Sequence, residues 1–311
     1  MIGPGVDPFA GPAPRELAAY QDQPRQLPTG SPGKNGYIRM GFERLDDRTV
    51  LADLERRAPT IVQQALYWDE AMPDLPCVFM ISNAGGILQG DRNVLEISLG
   101  PDARAHVTTQ AATKVHEMDA NYAGQWQEIA LAENAYLEFL PDPLIPHRHM
   151  RFITKTRIAI HPTATLLYAE ILMAGRKHHG HGELYAYDVF SSTVRAERPD
   201  GGELFTEKFV VEPARHGVRQ AGVMGEFDVF GNVLLLAPPA HVERIVEQLP
   251  AEVSRDGEWA ASASRLPNQA GLVFKVLGLE TQPVREIIRR FWGLVRREVT
   301  GHDIPREFAW R

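Results

Sequence analysis

The amino-acid sequence predicts a mainly β protein. From Tyr37 onward, short segments alternate apolar with polar residues and are separated by turn-forming residues, which is typical of strands with one buried face. The nearly continuous apolar runs TLLYAEIL and NVLLLA are typical of strands buried on both faces. Roughly ten or more such segments at near-regular intervals fit a sandwich, a barrel or a solenoid. Because no repeat of fixed period is visible, a solenoid would have to be irregular.

The bulk composition fits a folded protein of ordinary type. The chain has 311 residues, of which 44% are hydrophobic and 23% charged. Its net charge of -7 and the absence of a dense Lys/Arg block argue against a general nucleic-acid partner. The single cysteine, Cys77, lies in an apolar run and predicts a buried, reduced thiol, and no apolar run is long enough for a membrane span. We therefore expect a cytoplasmic protein without a membrane partner.

The chain divides into two predicted regions. Residues 1–36 hold many prolines and glycines and predict a flexible tail, with a short possible helix near Arg15–Gln21. Residues 37–311 predict a single β-rich domain. Leu95, Ile97 and Leu99 share one strand face, and QEIALAENAYLEFL predicts a strand, a turn and a second strand. Later strand candidates are RIAI, TLLYAEILMAG, ELYAYDVF, KFVVE, FDVFGNVLLLA and GLVFKVLG.

Two helices are predicted near the carboxyl end, at about 240–250 and 283–300. Both carry apolar residues at i, i+3, i+4 and i+7, which forms one buried stripe. The second helix has Thr281 as a candidate N-cap and Gly301 as a natural end. Its opposite face predicts a solvated surface and is rich in arginine: Arg285, Arg289, Arg290, Arg296 and Arg297.

The common catalytic and nucleotide-binding motifs are absent from the sequence. There is no GxxxxGK[ST] motif, no GxGxxG after a strand and no GxSxG nucleophile elbow. The sequence therefore predicts that the chain binds no nucleotide itself and gives little support to nucleophilic hydrolysis.

Two histidine-rich segments are candidate metal ligands. His147 and His149 have i, i+2 spacing, which on an extended segment points both rings the same way. GRKHHGHGE adds His178, His179 and His181, followed by Glu183. Imidazole suits nickel, copper and zinc, so all five histidines are possible transient surface ligands. A solvated loop accounts for the same residues equally well.

Several motifs in order resemble one known family. GGILQGD, TTQAATKVHE, LEFLPDPLIP, AEILMAGR with a later Gly182-Glu183, and GNVLLLAP follow one another as in the urease accessory protein family UreD, also called UreH. The resemblance covers about residues 37–311. It implies an irregular, β-helix-like or solenoid-like stack of short strands with a small C-terminal helical portion. It also implies a non-enzymatic metallochaperone that delivers nickel into apo-urease with UreF and the GTPase UreG, holding nickel(II) only transiently and no tightly bound cofactor.

The resemblance also implies an internal polar passage and suggests which residues form it. Glu170 is the strongest candidate, because a carboxylate within an apolar strand must be paired, hydrated or functional. A turn-shaping role is an open alternative for Asp91 and Asp142, as is ion pairing for Arg176. The histidines of GRKHHGHGE lie outside the family motifs and inherit no role. By motif position the candidates are Asp91, Glu138, Asp142, Glu170 and Glu183, with Thr108, Thr109, Gln110, Lys114 and Arg176 as neighbours.

Two other functions remain open on sequence alone. A β-rich metal-dependent hydrolase would use His147, His149, His179 and Glu183 and would hold a stoichiometric metal. A purely structural adaptor would bind its partners without contacting the ion.

Overall fold

The computed structural model describes residues 8–22, 34–306 and 308. In chain order its strands are β1 (Asn35–Leu45), β2 (Arg48–Arg57), β3 (Thr60–Val62), β4 (Cys77–Ser82), β5 (Arg92–Leu99), β6 (Arg104–Thr109), β7 (Thr113–Val115), β8 (Ala123–Leu131), β9 (Tyr136–Phe139), β10 (Leu144–Pro146), β11 (Arg151–Ile160), β12 (Thr165–Met173), β13 (Val189–Glu197), β14 (Glu203–Val211), β15 (Val229–Leu236), β16 (Glu252–Val253), β17 (Trp259–Arg265) and β18 (Gly271–Gly278). The α-helices are α1 (Pro239–Val246) and α2 (Thr281–Thr300), and short 3-10 helices lie at Arg15–Leu17 and Pro267–Gln269.

The strands form two sheets, which confirms the mainly β prediction. The first sheet has the order β14-β13-β11-β8-β5-β1-β2. The second has the order β16-β17-β18-β15-β12-β9-β6-β4-β3, with β10 beside β12 and β7 beside β10. Over the residues that the structure describes, neither sheet closes into a barrel.

Between β4 and β13 the chain moves back and forth between the sheets. β5, β8, β11 and β13 pair in parallel within the first sheet, while β4, β6, β9 and β12 pair in parallel within the second. Consecutive long strands therefore face one another across the core. Ile97, Ile129 and Ile158 lie in one register row of the first sheet and are buried there. The solenoid-like stacking itself stays a prediction.

The two helices cover the outer face of the second sheet. The predicted stripe of α2 is buried at Val284, Ile287, Ile288, Phe291 and Val295, where it packs with α1 against β15 and β18. A Cβ at Gly231 or Gly278 would lie 2.9 or 2.5 Å from the helix side chains, so glycine lets the helix approach the sheet closely. α2 ends at Gly301, whose φ is 75°, as predicted, whereas the N-cap is Glu280 and Thr281 is the first helical residue. No helix in the described part of the chain is both long and apolar enough to cross a membrane.

The prediction of a solvated arginine face on α2 is wrong for Arg296, and Arg285 and Arg289 are half-buried. Arg290 and Arg297 are exposed, but Arg296 is completely buried. Its helical position is adjacent to the buried stripe, so it faces the sheet, where Glu138 and Asp69 neutralise it. A periodic apolar pattern does not distinguish a solvated arginine from one that has buried carboxylate partners.

Part of the predicted tail packs against the first sheet. In residues 8–22, Leu17 is fully buried against a cluster that includes Ile153 and Val189, and the possible helix appears as the 3-10 turn Arg15–Leu17. Glu16 accepts a hydrogen bond from Ser191 at 2.7 Å. Residues 1–7 and 23–33 of the predicted tail lie outside the described residues, and the boundary at residue 36 stays a prediction.

Candidate functional site

A cavity of about 340 Å³ lies between the two sheets. On the first sheet, Asn93, Gln125, Thr154 and Ser192 occupy one register row across β5, β8, β11 and β13. The first three of these side chains line the cavity. The row places amides and hydroxyls where a core would normally hold aliphatic groups, so this part of an otherwise largely apolar cavity wall is polar and uncharged.

The polar row follows from strand parity. Gln125 and Gln127 share their face of β8 with Ile129, which is buried in the core between the sheets. Gln127 accepts hydrogen bonds from Thr156 at 3.1 Å and from Tyr168 at 3.2 Å. Polar residues at strand positions that alternate with the exposed face are therefore the sequence signal for the cavity. The family motifs do not include these positions, so the motifs did not predict them.

Glu170 projects into the cavity from β12 of the second sheet. Ser192 donates hydrogen bonds to both carboxylate oxygens at 3.1 and 3.0 Å, and Thr154 donates to one of them at 3.4 Å. Burial raises the pKa of Glu170, and the hydroxyl hydrogen bonds from Ser192 and Tyr168 offset only part of that effect. The carboxylate thus faces the polar row without a cation bound to it in any of the contacts described.

A second pocket of about 410 Å³ adjoins the cavity. The two share Thr109, Gln110, Ala111, Ala112 and Asp142, and this shared rim is called the mouth. Asp142 lies 3.2 Å from Arg285 of α2, and its backbone N–H donates to the Thr109 hydroxyl at 2.9 Å. Burial raises the pKa of Asp142, and the charge of Arg285 opposes that rise. Lys114 is exposed and lines the cavity near the same loop. Thr108 is buried and lines the second pocket, and its hydroxyl donates a hydrogen bond to the Leu140 carbonyl at 2.6 Å.

Polar groups continue along the second sheet beyond Glu170. In the second sheet Glu170 is in register with Asn232 of β15, which is in register with Lys275 of β18. Glu207 of β14 accepts hydrogen bonds from Asn232 at 2.8 Å and Lys275 at 2.7 Å. Phe209 and Phe230 line the cavity in this region. Glu207 and Lys275 were not predicted as site residues.

Glu138 has a different environment from the one predicted. Its carboxylate accepts two hydrogen bonds from Arg296, each at 2.7 Å, and one from Tyr136 at 2.7 Å, and it lies 2.8 Å from Nδ1 of His106. Burial would raise the pKa of Glu138, but the charge of Arg296 and the His106 contact hold it well below its ordinary value. Glu138 lines neither pocket, so these contacts give it a structural role.

Asp91 also lies outside the cavity wall. It is fully buried, and its carboxylate accepts hydrogen bonds from the backbone amides of Lys34 at 2.8 Å and Leu88 at 2.9 Å. These contacts are those of a turn-capping aspartate. They hold the GGILQGD loop between β4 and β5.

Arg176 and Glu183 close the neck of the histidine-rich loop. The guanidinium donates two hydrogen bonds to the carboxylate, at 2.7 and 2.5 Å, and these bonds lower the pKa of Glu183. Gly175 has a φ of 147°, and a Cβ there would lie 2.0 Å from the Glu183 carbonyl oxygen. The family motif positions thus shape the loop, and the three histidines at its tip, His178, His179 and His181, are exposed.

His147 and His149 do not share a strand face. β10 ends at Pro146, the chain turns, and His149 has a φ of 56°. His149 is exposed and lies 3.1 Å from Asp188, whereas His147 is 9% exposed and packs against His116. Burial, and then the charge of Arg176, lower the pKa of His147 to about 4. No group of three or more His, Cys, Asp or Glu side chains suited to a metal ion is found in residues 8–22, 34–306 and 308.

Comparison with known proteins decides the family. The profile of the family described as UreD urease accessory protein matches residues 34–311. The chain belongs to the UreD family. A relative named urease accessory protein UreD 2 from Brucella suis biovar 1 is 61% identical over 296 residues, covering 95% of this chain and 98% of the relative. A relative named urease accessory protein UreD from Yersinia enterocolitica is 53% identical over 302 residues, with 95% and 92% covered.

The UreD motifs and the cavity coincide in part. TTQAATK and LPDP form the mouth, and AEILMAGR carries Glu170. GGILQGD contributes Gly85, Gly86 and Ile87 to the wall, while its Asp91 turns away to the backbone. Membership of the family, predicted from these motifs, is confirmed.

Proposed function

We propose that this chain delivers nickel into apo-urease during maturation, acting with UreF and the GTPase UreG, and that the ion moves through the cavity past Glu170. Membership of a family of urease accessory proteins supports the role in maturation. The observation that carries the route is a single carboxylate, Glu170, facing a row of neutral amides and hydroxyls inside a cavity of about 340 Å³.

The polar groups of the cavity wall suit an ion that must be bound and then released. Amide and hydroxyl oxygens replace waters of hydration without holding the ion firmly, and one carboxylate attracts a divalent cation without enclosing it. Thiolates would bind nickel too tightly for release, and the chain's one cysteine, Cys77, is buried away from the cavity wall with a raised thiol pKa. Nickel is therefore cargo, and the proposal includes no resident cofactor.

The ion would enter or leave at the mouth, where Thr109, Gln110 and Asp142 border both pockets. Asp142 has a cationic partner, Arg285, at 3.2 Å, and that pair must rearrange if Asp142 is to contact the ion. Glu207 and Lys275 form a second ion pair, at 2.7 Å, but neither residue lines the cavity, so the proposed route does not include them.

The proposal assigns no catalytic residue to this chain. GTP hydrolysis would belong to UreG and urea hydrolysis to urease, and we propose that this work takes place in the cytoplasm. The hydrolase alternative has little geometric support. Of its four side chains, Glu183 is paired with Arg176, His149 lies beside Asp188, His147 packs on His116 and His179 is exposed.

The test replaces Glu170 with glutamine in the full chain, co-expressed with apo-urease, UreF and UreG. Glutamine keeps the size and hydrogen-bonding capacity of the side chain but removes its charge. The matched control is Glu252→Gln, at an exposed position of β16. We expect nickel per urease and urease activity to fall by about tenfold or more in Glu170→Gln, in line with the loss of one positioned charge, and to be unchanged in the control.

Equal nickel incorporation by both variants would overturn the route through the cavity. Unchanged urease nickel content after deletion of the whole chain would overturn the delivery function as well. An Asp142→Asn variant extends the test to the mouth. Loss of activation with normal complex formation supports a role in ion transfer, whereas loss of complex formation supports the adaptor alternative.

A further inference from the structure

Two histidines outside the cavity wall are held next to each other by the backbone. β7 and β10 pair in parallel, with Val115 opposite Pro146. His116 and His147 are the next residue on each strand, and the ladder continues through them, because the His147 N–H donates to the Val115 carbonyl at 3.0 Å. The two imidazoles are therefore neighbours by register.

The separation of the rings matches that of two ligands on one metal ion. Their centroids lie 4.7 Å apart, with 67° between the ring planes. An imidazole nitrogen lies about 2.0–2.1 Å from a bound divalent ion, which puts the ring centroid about 3.2 Å from the ion. Two rings at cis positions about 90° apart would have centroids about 4.5 Å apart, against about 5.2 Å at a tetrahedral angle. The observed distance is nearer to the cis value, which square-planar and octahedral ions adopt.

The rings are available for a ligand. His147 is only 9% exposed, and no described residue donates to or accepts from its ring nitrogens in the contacts found. Within the described part of the chain, the His116 ring makes one hydrogen-bond contact, a long one of 3.4 Å from Nε2 to the Gly85 carbonyl. Aromatic packing explains why the two rings are adjacent, but it gives the ring nitrogens of His147 no hydrogen-bond partner among the described residues.

Glycine keeps this space open and connects it to the cavity. A Cβ at Gly86 would lie 2.6 Å from Nε2 of His116, so any other residue would displace the ring. Gly85, Gly86 and Lys114 line the cavity, and Lys114 directly precedes the strand end that carries His116. The histidine pair therefore lies behind the wall at the Gly85-Gly86 corner.

We propose that His116 and His147 form a weak binding site for one divalent transition-metal ion such as Ni²⁺, with water in the remaining positions. The proposal rests on the proposed function, because the ion would be the same cargo. It identifies a holding position beside the cavity.

The surrounding charges favour release. Lys114 acts on His147 as a positive charge, whereas the opposite charges of Arg176 and Glu183 form an ion pair and largely cancel each other. Two imidazole ligands beside a positive charge hold a dication less firmly than a closed set of anionic ligands would. A site of this kind exchanges its ion readily, as transfer requires.

The test measures Ni²⁺ binding to the purified full chain by equilibrium dialysis, with nickel K-edge absorption spectroscopy to count imidazole ligands. The test variants are His116→Gln, His147→Gln and the double variant. The matched controls are His149→Gln, two residues from His147 but exposed, and the triple variant with asparagine at 178, 179 and 181. Circular dichroism and thermal unfolding verify that each variant is folded.

We expect two imidazoles per nickel in the wild-type chain and in both controls. Each single variant should bind about tenfold or more weakly, since even outer partners of metal ligands contribute about that much. Unchanged nickel binding by the double variant overturns the proposal, as does loss of binding in the triple loop variant. An unaffected double variant combined with lost urease activation in Glu170→Gln would refute the histidine site alone and leave the delivery function intact.

Discussion

Arg296 of α2 and Glu138 of β9 form a fully buried bidentate ion pair, with Nε and Nη2 each 2.7 Å from a carboxylate oxygen. The remaining guanidinium nitrogen, Nη1, forms an ion pair with Asp69, which is also buried. Trp292, one turn earlier on the helix, stacks on His106 with ring centroids 5.2 Å apart. The C-terminal helix is thus attached to the second sheet by charge as well as by its apolar stripe.

Replacing Arg296 with methionine should destabilise the protein strongly. The change leaves Glu138 and Asp69 buried without their cation, and breaking a buried pair in this way typically costs about 3–5 kcal/mol. The midpoint of urea unfolding, followed by circular dichroism, measures the loss. Arg297→Met is the control, because its pair with Asp303 is exposed, and it should change the free energy of unfolding by no more than about 0.5 kcal/mol. Equal effects of the two substitutions would contradict the assignment.

The Glu138→Gln variant should show a defect that depends on pH. The folded-state pKa of Glu138 lies below its ordinary value of 4.5, so its ionised form contributes stability above that pH. That contribution is lost as the pH falls below 4.5 towards the folded-state pKa. The difference in free energy of unfolding between wild type and variant should therefore be largest at pH 6–7, in the plateau, and should narrow below about pH 4.5. A difference that stays constant from pH 7 to pH 3 would argue against an ionised Glu138.

The Glu170→Gln substitution should change the stability of the protein in the opposite direction from Glu138→Gln. Burial raises the folded-state pKa of Glu170, so folding favours the protonated carboxyl, and the ionised form costs stability as the pH rises above 4.5. Glutamine removes that cost. We expect the variant to unfold at an equal or higher temperature than the wild type at pH 7, while its nickel delivery falls. A lower unfolding temperature would mean that the lost delivery reflects damage to the fold.

Features that depend on local sequence patterns could be predicted from the sequence, whereas features that depend on contacts between distant residues could not. Strand alternation and the α2 stripe are local patterns, so the mainly β class and the buried face of α2 were predictable. The partners of Arg296 lie 158 and 227 residues away in the chain, and no local pattern encodes them. The polar row of Asn93, Gln125, Thr154 and Ser192 likewise exists only once parallel register aligns four strands.

Motif recognition located the candidate site only partly, because a motif residue can be required for folding or for function. Glu170 and Asp142 line the cavity, whereas Asp91 caps a turn and Glu183 pairs with Arg176. Motif position singled out Glu170 but could not separate Asp91, Asp142 and Glu183, because a sequence does not show which backbone amides or cations each carboxylate contacts. His116 was overlooked for a related reason, since its partner His147 becomes a neighbour only through the β7–β10 pairing.

Gly175→Ala should disrupt the neck of the histidine-rich loop. The new Cβ would lie 2.0 Å from the Glu183 carbonyl oxygen, and the φ of 147° disfavours any side chain. We expect a loss of about 2 kcal/mol or more in the free energy of unfolding, measured by urea titration. Gly222→Ala is the matched control because a Cβ there meets nothing within 4 Å. Similar stability of both variants would show that the neck tolerates a shift of its backbone.

Replacing the three loop histidines with asparagine should spare most urease activation when nickel is plentiful. His178, His179 and His181 are exposed, and the loop's shape depends instead on Gly175, with the hydrogen bonds between Arg176 and Glu183 closing its neck. Asparagine tolerates turn conformations, so the loop should keep its backbone. Urease activity and nickel content after co-expression measure the effect, with Glu170→Gln as the variant expected to fail. Complete loss of activation in a folded triple variant that still binds its partners would make the loop, and not the cavity, the essential metal-handling element.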